Sequence, residues 1–107
     1  MAKVYVVQET LGKNLLSASE YGELEVLLPQ GQITLSPGPS IFRLHKKLTD
    51  FNDDDYLLLI GDPIAIALAA MVAASINQGK VNFLKWDKQE RKYFPVKSDL
   101  HRKLSDE

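Results

Sequence analysis

The sequence predicts an α/β domain: a small Rossmann-like sheet of about three parallel strands and two helices, with an antiparallel C-terminal β-hairpin. Three observations carry this expectation. Apolar, β-branched or aromatic runs at 3–9, 56–60 and 80–86 are separated by two segments of helical character, the spacing of parallel βαβ units. Tyr56-Leu-Leu-Leu-Ile60 is uninterruptedly apolar, as a strand covered on both faces requires. After the last run a polar turn leads back into Tyr93-Phe-Pro-Val-Lys97. An α+β fold with a mostly antiparallel sheet is the alternative.

Taken in order, Lys3-Val-Tyr-Val-Val-Gln-Glu9 reads as a first strand buried on both faces. Residues 10–22 show no clean period and read as a loop. Residues 23–28 and 32–36 alternate like short strands, with Pro29-Gln-Gly31 as a hairpin turn between them. Ser36-Pro-Gly-Pro-Ser40 is a rigid connector; it has too few glycines for a phosphate loop, and its prolines remove donors. Ser40 is placed to cap a helix whose apolar residues Ile41, Leu44 and Leu48 share a face, with Arg43, His45, Lys46 and Lys47 mostly elsewhere. Asp62 and Pro63 suit the N-cap and first turn of a second helix running to about Gln78, with Gly79 at its left-handed end. Pro95 lacks an N–H for a ladder, so the last strand belongs at a sheet edge.

The chain has 107 residues, 45% of them hydrophobic and 25% charged, with net charge −1 and no cysteine. These values fit one soluble domain over 1–97 and a polar tail over 98–107. Disulfides and cysteine-held metals are excluded, which favours a reducing compartment. The longest apolar run, 64–74, is too short for a membrane span of about 20 residues. No signal peptide is visible at the N-terminus, so a cytoplasmic location is expected. Residues 1–79 hold 5 Lys and Arg against 9 Asp and Glu, whereas 80–107 hold 8 against 5. The C-terminal part is thus mildly basic.

Four candidate surfaces follow. Gly61-Asp62-Pro63 lies where open α/β sheets place ligands, beyond a strand's carboxyl end and at a helix N-terminus. Capping explains these three residues without a ligand, and neither Gly-x-Gly-x-x-Gly nor a Walker A pattern is present. The run Asp53-Asp54-Asp55 lacks a calcium-loop layout and reads as a solvated loop. The hairpin residues Lys85, Trp86, Lys88, Arg91, Lys92 and Tyr93 combine positive charge with aromatic rings, a pattern of single-stranded nucleic-acid contact. Trp86 and Tyr93 also suit a cross-strand pair that simply stabilises the turn.

The second helix carries no charge between Pro63 and Gln78. At helical spacing, Ile64, Leu68, Met71, Val72 and Ile76 form the expected sheet-facing stripe. Ile66, Ala67, Ala70, Ala73 and Ala74 then lie on the back, where a lone helix would show Lys or Glu. That back is expected to be covered, most simply in a two-fold dimer. Catalysis has no support: His45 and His101 have no partner spacing for nucleophilic or metal chemistry. No catalytic residue, metal or cofactor is expected; the sequence leans away from an enzyme without excluding one.

The segments KVYVVQE, LLPQGQITLSPGPS, DFNDDDYLLLIGDPIAIALA and GKVNFLKWDKQERKYFPV resemble those of a family of small proteins from tailed bacteriophages, marine ones especially. The likeness spans most of 3–97. It implies a phage or metagenomic origin and expression in a host cytoplasm; it implies no activity, since the family's function is unassigned. The expectation is a self-associating accessory protein that binds a host protein or nucleic acid. The alternative is a small-ligand or nucleotide-binding domain with its site at Gly61-Asp62-Pro63.

Overall fold

The computed structural model describes residues 1–10, 15–33 and 36–102. Five strands form one mixed sheet: β1 (Lys3–Gln8), β2 (Glu23–Leu28), β3 (Tyr56–Leu58), β4 (Lys80–Asp87) and β5 (Lys92–Asp99), in the order β2-β1-β3-β4-β5. The first four run parallel, and β5 pairs antiparallel with β4. The α/β class and the C-terminal hairpin are as the sequence predicts. Pro95 sits in the edge strand β5, paired opposite Leu84. Residues 98 and 99 continue that strand beyond the expected boundary at 97.

Four parallel strands form where about three were expected, because residues 23–28 do not make the predicted hairpin. They pair in parallel with β1, Val6 opposite Val26. Gln32 and Ile33 belong to no strand, and 34–35 lie outside the described residues. Alternation in sequence shows that a strand has two different faces, and leaves open which neighbour it pairs with. The predicted loop 10–22 contains a 3-10 helix, Leu16–Tyr21, while 11–14 lie outside the described residues.

Two helices, α1 (Gly38–Lys47) and α2 (Pro63–Ile76), cover one face of the sheet. Alternation along the strands divides the core between the two faces. Tyr5, Val7, Leu57 and Val81 meet Leu44 of α1, Leu48 at its C-cap, and Ala65, Ala69, Val72 and Ala73 of α2. Val4, Val6, Leu58 and Leu84 point the other way, where Ala18 of the 3-10 helix and Tyr93 cover them. Tyr21 Oη donates to the Tyr93 carbonyl at 3.2 Å and ties that helix to the hairpin.

Helix α1 starts at Gly38 with Pro37 as N-cap residue, three positions before the predicted cap Ser40. Pro39 fits the first turn, where its missing N–H costs nothing. Arg43 Nε donates to the Leu27 carbonyl at 2.9 Å, and Lys47 Nζ to the Val26 carbonyl at 3.1 Å, so two α1 cations bind the end of edge strand β2. At the exit of α2 the left-handed turn falls on Gln78 (φ 56°) as well as on Gly79 (φ 84°). The Gly79 N–H reaches back to the Ala74 carbonyl at 2.7 Å and closes the helix end.

The face that α2 buries differs from the predicted one. Ala65, Ala69, Val72 and Ala73 are buried, whereas Ile64 is 51% exposed and Met71 67% exposed. Of the expected sheet-facing stripe, only Val72 is buried. A helix apolar on every side has no periodicity from which to read its rotation. Small side chains at 65, 69 and 73 let the backbone sit close to the sheet and leave the bulky residues outside.

Candidate functional site

In the order β2-β1-β3-β4-β5 the strand neighbours of β1 are β2 and β3, so the crevice beyond the carboxyl ends of β1 and β3 is the natural ligand position. Here the chain fills that position with its own groups. Gln8, at the end of β1 and only 4% exposed, accepts the Asp62 N–H on Oε1 at 2.7 Å. Its Nε2 donates to the Pro29 carbonyl at 2.9 Å and also to that of Gly31. Gly61 holds φ +135°, and a Cβ there would meet Gln8 Cβ at 2.6 Å. The strand-to-helix turn is thus pressed onto a buried amide.

Asp62 occupies the N-cap position of α2, as its residue type suggests, but its carboxylate caps nothing. Its backbone carbonyl accepts the first helical bond, from the Ile66 N–H, at 3.0 Å. Its Oδ2 instead accepts the Ile33 N–H at 3.2 Å. Gln8 and Asp62 together hold the 29–33 segment against the ends of β1 and β3. The signal for this in the sequence was Gln8 itself, a polar residue closing an otherwise apolar strand.

The acidic run is also more structural than its composition suggests. Asp53 and Asp54 are exposed, but Asp55 is buried and accepts the N–H groups of Lys3 at 2.9 Å and Asn52 at 3.0 Å. The solvated-loop reading therefore fails for Asp55, which fastens the start of β1 to the loop before β3. Asp53 accepts from Asn77 Nδ2 at 3.0 Å, next to the exit of α2. Among the described residues no group of three or more His, Asp or Glu is arranged to hold a metal ion.

On the hairpin, Trp86 pairs across from Tyr93 with ring centroids 4.9 Å apart and planes at 68°. Tyr93 is buried, and burial pushes its hydroxyl pKa above the ordinary value. Strand alternation sets Lys85 and Lys92 on the helix-covered side of the sheet, opposite Trp86 and Tyr93. Lys88 and Arg91 lie in the exposed turn. The cationic and aromatic residues that adjoin in sequence are therefore divided between two faces.

The family model described as Phage Pam3 gp32-like protein matches residues 2–100. The chain belongs to this phage family. The match agrees with the resemblance read from the sequence and, like it, brings no activity. No curated protein and no solved structure matches the chain. Among the described residues no helix is long and apolar enough to cross a membrane.

In this member of the gp32-like family the back of α2 falls in three different places. Ala73 is buried in the core, Ile66, Ala70 and Ala74 are half-buried against it, and Ala67 is exposed. The outer stripe is Ile64, Ala67, Met71 and Ser75, spaced i, i+3, i+7, i+11 and free of charge.

Proposed function

We propose that this phage-family protein works by binding, as a self-associating accessory protein in the host cytoplasm whose contact surface is the outer face of α2. One observation carries the reading: Met71 and Ile64 stand out from a helix that has no charged residue along its length. Exposed large apolar side chains on an uncharged face mark interaction surfaces. Small neighbours, Ala67 and Ser75, allow a second helix to come close. Pairing of two such faces about a two-fold axis makes each copy cover the other with the same residues.

Sedimentation velocity over a concentration series tests the proposal. The expected result is a dimer that Met71→Lys converts to a monomer without loss of fold. A wild-type chain that stays monomeric at tens of micromolar defeats the self-association. A host protein or a nucleic acid is then the partner class to test. For nucleic acid at the hairpin, a gel shift that weakens with rising salt is the expected sign of phosphate contact.

A further inference from the structure

The two sides of α1 have different environments. Leu44 and Leu48 are buried in the core. Phe42, Arg43, Lys46 and Lys47, at i, i+1, i+4 and i+5, share another side of the helix. They line a groove of about 790 Å3 between α1 and the β1–β2 edge, with Lys3 and Tyr5 on the strand side. Four cations in this groove stand against two carboxylates, Glu25 and Asp50. Glu25 is already bonded to Lys3 at 2.9 Å, which leaves the three helix cations facing Asp50 alone.

Two of those three cations are held in position. Arg43 uses only Nε on the Leu27 carbonyl, which leaves both terminal amino groups of the guanidinium as donors. Lys47 makes one bond, to the Val26 carbonyl, and has two further donors. A guanidinium fixed by one arm and an ammonium beside it form a ready site for phosphate oxygens. Phe42 lies one helical turn before Lys46 and is 72% exposed, so its ring gains little from the protein's own core. An open ring next to cations suits the flat face of a base, and the groove has the size of a small-molecule site.

We propose that this groove binds a free nucleotide, with its phosphates on Arg43, Lys46 and Lys47 and its base against Phe42. The sequence offered the strand-to-helix turn as a nucleotide site; Gln8 fills that place, and the α1 groove has the chemistry that the turn lacks. The groove is separate from the outer face of α2, so this proposal stands or falls independently of self-association.

The test is calorimetric titration of the full-length protein with ADP at low salt, beside inorganic pyrophosphate and a short oligothymidylate. ADP is expected to bind. Lys46→Glu is expected to weaken it about tenfold, since reversing an exposed charge loses roughly twice one surface pair. Phe42→Ala is expected to weaken it about fivefold through lost stacking. Lys85→Glu, on the hairpin, is expected to leave it unchanged. All three positions are exposed, so circular dichroism should show the native fold throughout. The proposal is overturned if ADP does not bind, if Lys46→Glu binds it as well as wild type, or if pyrophosphate binds as tightly as ADP. It is overturned equally if the oligonucleotide outcompetes ADP at this groove, since the occupant is then a strand.

Discussion

Gln8 and Asp62 lie 54 positions apart in sequence, and the Gln8 side-chain oxygen accepts the Asp62 amide proton at 2.7 Å. Through its other end the same amide satisfies the carbonyls of Pro29 and Gly31. One buried side chain thus joins the end of β1, the turn after β2 and the entry to α2. Gln8→Ala leaves three backbone groups without this partner and is expected to cost about 3 kcal/mol. Urea unfolding measures it. Gln8→Glu should be no better at neutral pH, because a carboxylate faces two carbonyls where an NH2 donated. Acidification should restore part of the loss as the carboxyl regains a donor.

Asp62 and its helix make a second test. If the carboxylate acted as a cap, Ser at position 62 would replace it well. Because Oδ2 instead holds the Ile33 N–H, Asp62→Ser and Asp62→Ala are expected to lose about the same, near 1 kcal/mol each. A clear advantage of Ser over Ala in the urea midpoint would restore the capping account.

Gly31 and Gly61 both have positive φ, +124° and +135°, in different surroundings. A Cβ on Gly31 meets nothing within 4 Å, whereas one on Gly61 meets Gln8 Cβ at 2.6 Å. Gly31→Ala is expected to cost about 1 kcal/mol of backbone strain. Gly61→Ala should cost clearly more, and the difference between the two denaturation midpoints measures the clash.

The orientation of α2 can be checked without a structure. Met71→Lys is expected to change the stability of the monomer by less than about 0.5 kcal/mol, as an exposed substitution does. Ala69→Leu adds bulk where helix meets sheet and is expected to cost about 3 kcal/mol. With Met71 facing the sheet, as the sequence predicts, Met71→Lys would instead be strongly destabilising.

Alkaline pH should weaken the fold. Burial, and secondarily the Asp55 carboxylate, raise the Tyr5 hydroxyl above its ordinary pKa of 10.0, and burial raises that of Tyr93. The folded state therefore holds these protons more tightly than the unfolded state. Their contribution is full below the ordinary value and is lost as pH rises through the folded values. A pH series of urea midpoints from about 9 to about 11 should fall, and Tyr5→Phe should make that fall shallower.

Much of this architecture was legible because strands covered on both sides and a proline at an edge leave direct marks. Tyr56-Leu-Leu-Leu-Ile60 has the apolar run of a central strand, and Pro95 marks β5 as an edge strand. Three features were not legible, each for a physical reason. Glu23–Leu28 alternates equally well beside either neighbour, so its parallel pairing with β1 is a tertiary choice. Residues 64–74 are apolar throughout, which removes the polar reference from which a helix's rotation is read. Asp55 and Asp62 look like loop and cap residues, and only their distant partners, Lys3 and Ile33, show the bonds they make. In the candidate groove the signal was present as Phe42 among the cations of α1, an aromatic on the side of the helix away from Leu44 and Leu48.

The bonds from Arg43 and Lys47 to β2 have a wider consequence. The Leu28 carbonyl accepts the Glu9 N–H from β1, so the Leu27 carbonyl, one residue before it, faces the open margin of the sheet, where Arg43 occupies it. At the opposite margin Pro95 removes a donor from β5, and Lys92 and Lys97 flank it with charge. Neither margin offers an incoming strand an uninterrupted template. Strand-by-strand fibril growth is therefore obstructed at both edges of the sheet.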